Sequence, residues 1–218
     1  MTCSIVFDFD GTLAIGHGPV LAYARAVAPL AKDNFVERVE DELRAYDAGE
    51  ASYRDGYHVV AEVAAQDGVP SEAMNQAYQQ SRTVLGTPEA PIDAPDGLIE
   101  ILDALRGLAT LHVATNAPAI GVEQILESWG ARPYFDQLHT QVGKPDGLYP
   151  IVEQLLEQGP VLSVGDIYDF DLKPAHDLGA DTALVGATAQ SSTVEVTMRG
   201  NTITDLRHDM LRWAARSS

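Results

Sequence analysis

Cysteine is almost missing from this chain: Cys3 is the only one in 218 residues. No internal disulfide can form, and a cytoplasmic location is the default expectation. Nothing near Cys3 in sequence would stabilise a thiolate, so no nucleophilic role is expected of it. Positive charge is scarce as well. Fourteen Lys and Arg stand against 32 Asp and Glu, a formal net charge of −18. Nucleic acid and anionic membranes are therefore not expected partners, because both need a basic surface. No apolar run is long enough to cross a bilayer, and the N-terminus enters a strand without a basic lead. Internal repeats and low-complexity tracts are absent too. The composition is that of a soluble enzyme, with 45% hydrophobic and 21% charged residues. Its length suits one core domain plus an insertion. It points to no particular oligomeric state.

What is present is concentrated at the ends of apolar runs. Ser4-Ile5-Val6-Phe7 leads into Asp8-Phe9-Asp10-Gly11-Thr12. This reads as a buried strand whose carboxyl end delivers two carboxylates into a crevice. Alternation puts Asp8 and Asp10 on one side if the strand continues that far. Gly11 then allows a sharp turn. Two acids so close repel unless a cation lies between them or one is protonated. Three more segments end in polar groups. Leu111-His112-Val113-Ala114 ends in Thr115-Asn116, and Leu138–Gly143 ends in Lys144-Pro145. Val161-Leu162-Ser163-Val164-Gly165 ends in Asp166, with Asp169 and Asp171 following.

These four segments resemble, in order, motifs I to IV of the haloacid dehalogenase (HAD) superfamily, mostly Mg2+-dependent phosphohydrolases. The resemblance covers about two thirds of the chain. It implies the α/β class, with a doubly wound parallel sheet as core and an inserted helical cap. Within the superfamily the chain is similar to the phosphoglycolate phosphatase and β-phosphoglucomutase branch, which carries a C1 cap. Core boundaries are expected at 1–15 and 89–218, with the cap at 16–88.

Strands and helical stretches alternate through the core, as a doubly wound sheet requires. Helices are expected over about 96–107, 117–129, 147–158 and 171–178, and strands over 138–142, 161–164 and 181–185. Residues 194–204 read as a short hairpin around Arg199-Gly200-Asn201, followed by a helix near 205–215. The inserted block shows four helical patterns. Pro19–Ala31 has Pro at its start. Asp33 or Asn34 can cap a second, with Phe35, Val36, Val39, Leu43 and Tyr46 at helical spacing and a stop at Gly49. Ser52 can cap a third, with Tyr53, Tyr57, Val60, Val63 and Ala64 on its apolar side. Pro70-Ser71-Glu72 opens a fourth that runs to Gly86. A proline-rich return follows over 87–95. Residues 14–18 and 87–95 would serve as hinges of a lid that encloses the reaction.

The resemblance also implies roles. Asp8 would be the nucleophile that takes the phosphoryl group. Asp10 would protonate the leaving oxygen and then activate water. Mg2+ would be held by Asp8, the backbone carbonyl of Asp10 and Asp166. Thr115 would hold a phosphoryl oxygen, helped by the Asn116 backbone, and Lys144 would counter charge on Asp8 and the phosphate. Asp171, rather than Asp169, would orient Lys144 or a metal-bound water. Haloacid dehalogenases and phosphonatases lack the second acid of motif I, so Asp10 favours cleavage of a phosphate ester. The expected substrate is a small phosphorylated metabolite. A phosphomutase and a non-catalytic phosphate-binding protein are the alternatives. In the cap and its approach, His17 and Arg54 are the substrate-binding candidates; the other readings are a solvated loop histidine for His17 and, for Arg54, the favoured one of a surface arginine paired with Asp55 or Glu50. Arg25 and Arg82 are weaker candidates. His112 is read as a core histidine, and His139 and His176 have no metal-ligand spacing.

Overall fold

The computed structural model describes residues 2–48, 50 and 53–217. Its elements in chain order are β1 (Cys3–Phe7), α1 (Gly18–Val27), α2 (Phe35–Asp47), α3 (Gly56–Asp67), α4 (Ser71–Arg82) and α5 (Leu98–Arg106). They continue with β2 (Ala109–Ala114), α6 (Ala119–Ser128), β3 (Gln137–His139), α7 (Leu148–Leu156) and β4 (Val161–Gly165). A π-helical turn (Tyr168–Leu172), α8 (Lys173–Asp177), β5 (Asp181–Leu184), β6 (Met198–Arg199) and α9 (Arg207–Ser217) complete the chain. Two compact units result: Met1–Ile15 with Ala94–Ser218, and Gly16–Asp93.

The first unit is a six-stranded sheet in the order β3-β2-β1-β4-β5-β6, and every pairing is parallel. This is the doubly wound α/β core that alternating strands and helices predict. β1 sends the chain out to β2 and β3 on one side, and β4 returns on the other. The order therefore reverses between β1 and β4, and in such sheets ligands bind at the carboxyl ends beside that reversal. β1 and β4 are buried throughout, as central parallel strands must be. Alternation splits their side chains between two layers. Val6 joins Leu148, Val152 and Leu155 of α7, whereas Cys3, on the opposite face of β1, donates to the carbonyl of Ala214 in α9.

The tail departs from the expected hairpin. β6 pairs in parallel with β5 and extends the sheet. Arg199 supplies the reason. Its guanidinium donates to the carbonyls of Ala189, Ser192 (2.8 Å) and Val194 (2.5 Å). The preceding segment is thereby held as an irregular loop instead of a partner strand.

The second unit packs α1 against α4, and α2 and α3 against α1 and each other. Phe35, Val39, Leu43 and Tyr46 give α2 its buried stripe. That stripe meets Val20, Tyr23 and Val27 of α1 and Val59, Val60 and Val63 of α3. Local starts differ from expectation. Asn34 occupies the cap position of α2 in the left-handed region, and neither Asp33 nor Asn34 makes a side-chain capping bond there. The expected cap Ser52 and stop Gly49 lie outside the described residues. α3 begins at Gly56, where Asp55 Oδ1 accepts the His58 N–H at 2.7 Å. Tyr53 thus precedes the helix. α4 ends at Arg82, before Gly86, and residues 85–90 form a small bridge, Leu85 with Ala90. The return segment belongs to this unit up to Asp93, not 88. Arg25 donates to the Glu89 carbonyl, and Gly18 lies so close to Pro91 that a Cβ would fall 1.9 Å from its carbonyl oxygen.

Candidate active site

The strand ends place the polar groups. Asp8 follows β1 directly and its N–H donates to the Val164 carbonyl of β4, 2.8 Å away. Thr115 follows β2; its N–H bonds the His139 carbonyl at 2.9 Å, and its own carbonyl accepts from Val142. Asp166 follows β4. The 8–14 segment then coils on itself, with Leu13 and Ala14 donating to the Phe9 carbonyl and Gly11 donating to that of Ala14. Gly11 is needed twice over. Its φ is +89°, and a Cβ there would meet Asp166 Oδ2 at 2.3 Å.

Lys144 is the centre of the charge arrangement. Its ammonium donates to Asp8 Oδ1 and to Asp171 Oδ1, both at 2.5 Å. All three side chains are buried. Its backbone N–H is fixed by Asn116 Oδ1 at 2.7 Å. Asn116 thus acts on the lysine loop through its side chain, a role its sequence position did not disclose. Asp171 is fixed as firmly. Its Oδ2 accepts from the Ile167 N–H at 3.0 Å, and its carbonyl accepts from the Ser163 hydroxyl at 2.7 Å. Gly165 lets it close in, since a Cβ on Gly165 would lie 2.3 Å from that of Asp171. The π-helical turn is what brings Asp171, five residues beyond Asp166, back onto β4. Asp169 is exposed.

Burial pushes the Asp8 carboxyl up to about 7, with Asp171 and Asp10 adding to the rise and Lys144 opposing it. Burial pulls Lys144 down, but Asp8 and Asp171 outweigh it and hold the ammonium above its ordinary value. Lys144 is therefore cationic throughout the neutral range.

Asp8, Asp166 and Asp171 each offer an oxygen within 4.8 Å of the others. The Asp10 side chain is not part of that group. An all-oxygen donor set of carboxylates fits a hard divalent cation. Asp8 Oδ2 is buried without a hydrogen-bond partner, as a ligand oxygen would be. Asp171 is already committed to Lys144 and Ile167, which leaves Asp8 and Asp166 as the side chains best suited to a metal such as Mg2+. Thr115 is buried, and its Oγ1 accepts from the Ala117 N–H at 3.0 Å, leaving the hydroxyl hydrogen to donate. Two residues escaped the sequence reading. Ser163 holds Asp171 from within β4. Thr12, directly after Gly11, carries a buried hydroxyl without a partner, and its place in Asp-Gly-Thr was the available signal.

The cap candidates belong to the second unit and are engaged there. His17 Nε2 lies 2.7 Å from Asp47 Oδ2. Arg54 Nε donates to Asp55 Oδ2 at 2.8 Å, the pairing that sequence allowed as its alternative. His112 is a core histidine, 4% exposed, stacked with His139.

Several solved structures share the fold. YfnB from Bacillus subtilis, a HAD-hydrolase whose magnesium-bound structure reveals interdomain movement, superposes with a TM-score of 0.66 at 17% identity, covering 96% of this chain and 98% of that one. A predicted phosphatase from Clostridium acetobutylicum gives 0.64 at 17% identity over 97% and 99%. A HAD-superfamily hydrolase of subfamily IA from Geobacter sulfurreducens gives 0.59 at 21% identity over 94% and 96%. No curated protein matches the chain in sequence. The family model for haloacid dehalogenase-like hydrolases matches residues 4–179, from the strand before Asp8 to the helix after Asp171, and so the chain belongs to that family.

Proposed function

We propose that this hydrolase is a phosphomonoesterase for a small phosphorylated metabolite, with Asp8 as its nucleophile. The observation that carries the reading is the state of Asp8. One oxygen is bonded to Lys144, and the other is buried and unpartnered at the carboxyl edge of the sheet. In the proposed reaction Asp8 attacks phosphorus, the bond to the leaving oxygen breaks, and an aspartyl-phosphate forms. Asp10 gives its proton to that oxygen and then takes one from the water that attacks phosphorus and frees phosphate. The Thr115 hydroxyl donates to a phosphoryl oxygen. Lys144, steadied by Asp171 and Asn116, offsets the charge that builds up as phosphorus is attacked. Mg2+ held by Asp8, the Asp10 carbonyl and Asp166 would supply the charge neutralisation that lets a carboxylate approach a phosphate dianion. Residues 16–93 serve as the lid in this reading, and the interdomain movement described for YfnB supports it.

The test is phosphate release from a panel of phosphorylated metabolites. Turnover should require Mg2+ and stop in chelator. Asp8→Asn should lower it by far more than a hundredfold, because a covalent step is lost. Product analysis separates hydrolysis from transfer to a second hydroxyl. Undiminished turnover by Asp8→Asn would remove the nucleophile assignment.

A further inference from the structure

An apolar layer lines one face of β4. Val161 packs there with Val6 of β1, Leu148 and Val152 of α7 and Ala175 of α8. Alternation puts Ser163, two residues on, in the same layer. It is 2% exposed and in register with Val6 and Thr182 on the flanking strands. A hydroxyl in such a place is unfavourable unless it is bonded. Ser163 donates to the Asp171 carbonyl, 2.7 Å away.

That bond differs from the others Asp171 makes through its turn. The Asp171 N–H donates to the Ile167 carbonyl at 2.8 Å, and its Oδ2 accepts the Ile167 N–H at 3.0 Å. Both lie inside the turn that carries Asp171 and would travel with it. The Ser163 bond ties Asp171 instead to β4, which is paired with β1 on one side and β5 on the other. The next residue of the same strand fixes the other acid: the Val164 carbonyl accepts the Asp8 N–H at 2.8 Å. Neighbouring residues of one central strand thus set the positions of both carboxylates between which Lys144 lies, 2.5 Å from each.

We propose that Ser163 is a positioning residue for the reaction. Its hydroxyl fixes the Asp171 backbone against β4, and Asp171 holds the Lys144 ammonium. The ammonium thereby stands where charge builds up as Asp8 attacks phosphorus. The proposal rests on the phosphomonoesterase reading, with Asp8 as nucleophile and Lys144 opposite the phosphate. Preorganised charge works only where it is held in place, and a displacement of about 1 Å can cost about a hundredfold. Lys144 keeps its charge when Ser163 is changed, so the loss belongs to the attack more than to substrate binding.

The experiment measures kcat and KM for phosphate release from p-nitrophenyl phosphate and the metabolite panel, with Mg2+ present, for the wild type, Ser163→Ala and Ser4→Ala. Ser4 is the control. It is 1% exposed, near the start of β1, and its hydroxyl bonds Thr110 Oγ1 at 2.9 Å. Ser4→Ala therefore also removes a buried hydroxyl bond from the sheet. Ser163→Ala should lower kcat about tenfold or more while KM stays within about threefold. Ser4→Ala should leave both within about twofold. The second arm is a double-mutant cycle with Asp171→Ala. Ser163→Ala should cost less than about twofold once that carboxylate is gone, because there is nothing left for it to position. Should Ser163→Ala not fold, Ser163→Cys takes its place in both arms, since a thiol donates only weakly. A kcat that falls no further in Ser163→Ala than in Ser4→Ala overturns the proposal and leaves the phosphatase reading intact. So does the full loss persisting in the Asp171→Ala background, which would put Ser163 on another route. Absence of turnover by the wild type on every ester overturns the phosphatase reading and this proposal with it.

Discussion

Lys144 in the sheet unit and Lys32 in the helical unit are each shared with carboxylates, yet they do opposite work. Lys144 is 4% exposed and lies 2.5 Å from each of two buried acids. Lys32 is 70% exposed and stands 3.7 Å from Asp67. A buried cation between two acids is costly to assemble and costlier to break, because its removal leaves charges that water cannot reach. An exposed one is screened and contributes little. The sheet unit has put its charges where they are expensive, and functional sites are where such expense is found. At Lys32 the helical unit has put a cation where it is cheap.

The largest effect that could break this contrast is at Lys144. If Lys144 meets the phosphate as proposed, Lys144→Ala should lower turnover at least a hundredfold on every substrate, because that charge is gone. In chelator it should also lower unfolding free energy by about 3–5 kcal/mol, the cost of stranding a buried partner. Lys32→Ala should move neither quantity measurably. Urea titration of both variants with a phosphate-release assay decides it. Matching effects for the two lysines would end the distinction.

Much of the sheet unit was legible because its signals are local. Apolar runs at β1, β2 and β4 end in the polar residue that the strand end presents, and the intervening helices alternate with them. The site's inner wiring was not legible in the same way. Lys144 and Asp8 are 136 residues apart, and only the closed sheet brings them within 2.5 Å. The bond from Ser163 to the Asp171 carbonyl depends on a π-helical turn, a geometry with no sequence period of its own. β6 was read as half a hairpin because Arg199-Gly200-Asn201 carries turn chemistry. Three carbonyls on one guanidinium outweighed that local preference. In the helical unit the buried stripes of α2 and α3 followed from spacing, but the start of α3 did not. Ser and Asp are both good caps, and Asp55 is the residue that accepts a helical N–H there.

A smaller effect sharpens the comparison inside the sheet unit itself. His112 on β2 is buried, bonded to Thr110 Oγ1 at 3.1 Å and facing His139 Nε2 at 3.4 Å. Burial, with His139 adding to it and Asp136 opposing, lowers His112 from the ordinary 6.5 to about 4. The folded chain therefore resists protonating it, while the unfolded chain does not. Its contribution is complete above about pH 6.5 and drains away as pH falls toward 4. The span corresponds to a loss of about 3 kcal/mol. Urea unfolding of the wild type and of His112→Gln between pH 7.5 and 4.5 should show the wild type losing this extra stability, whatever the variant's absolute value. Parallel curves would mean that His112 does not carry the dependence.

The smallest effect belongs to Arg54, half exposed and paired with Asp55. If the cations of the helical unit are held by their own acids, Arg54→Ala removes an exposed, screened pair with Asp55. Such pairs are worth little. The Asp55 bond to the His58 N–H, which starts α3, does not involve the guanidinium and survives the change. Thermal unfolding should therefore shift only slightly, and kcat/KM should fall by less than about twofold on p-nitrophenyl phosphate and on neutral esters alike. The informative substrate is 3-phosphoglycerate. A guanidinium that meets the leaving group would make Arg54→Ala lose at least about tenfold on that ester alone, the scale of one charge-assisted hydrogen bond. The helical unit would then contribute a substrate-facing cation after all, and the contrast between expensive and cheap charge would no longer follow the boundary between the two units. Equal, small losses across the panel would leave the contrast standing, with Lys144 as the cation on which the reaction depends.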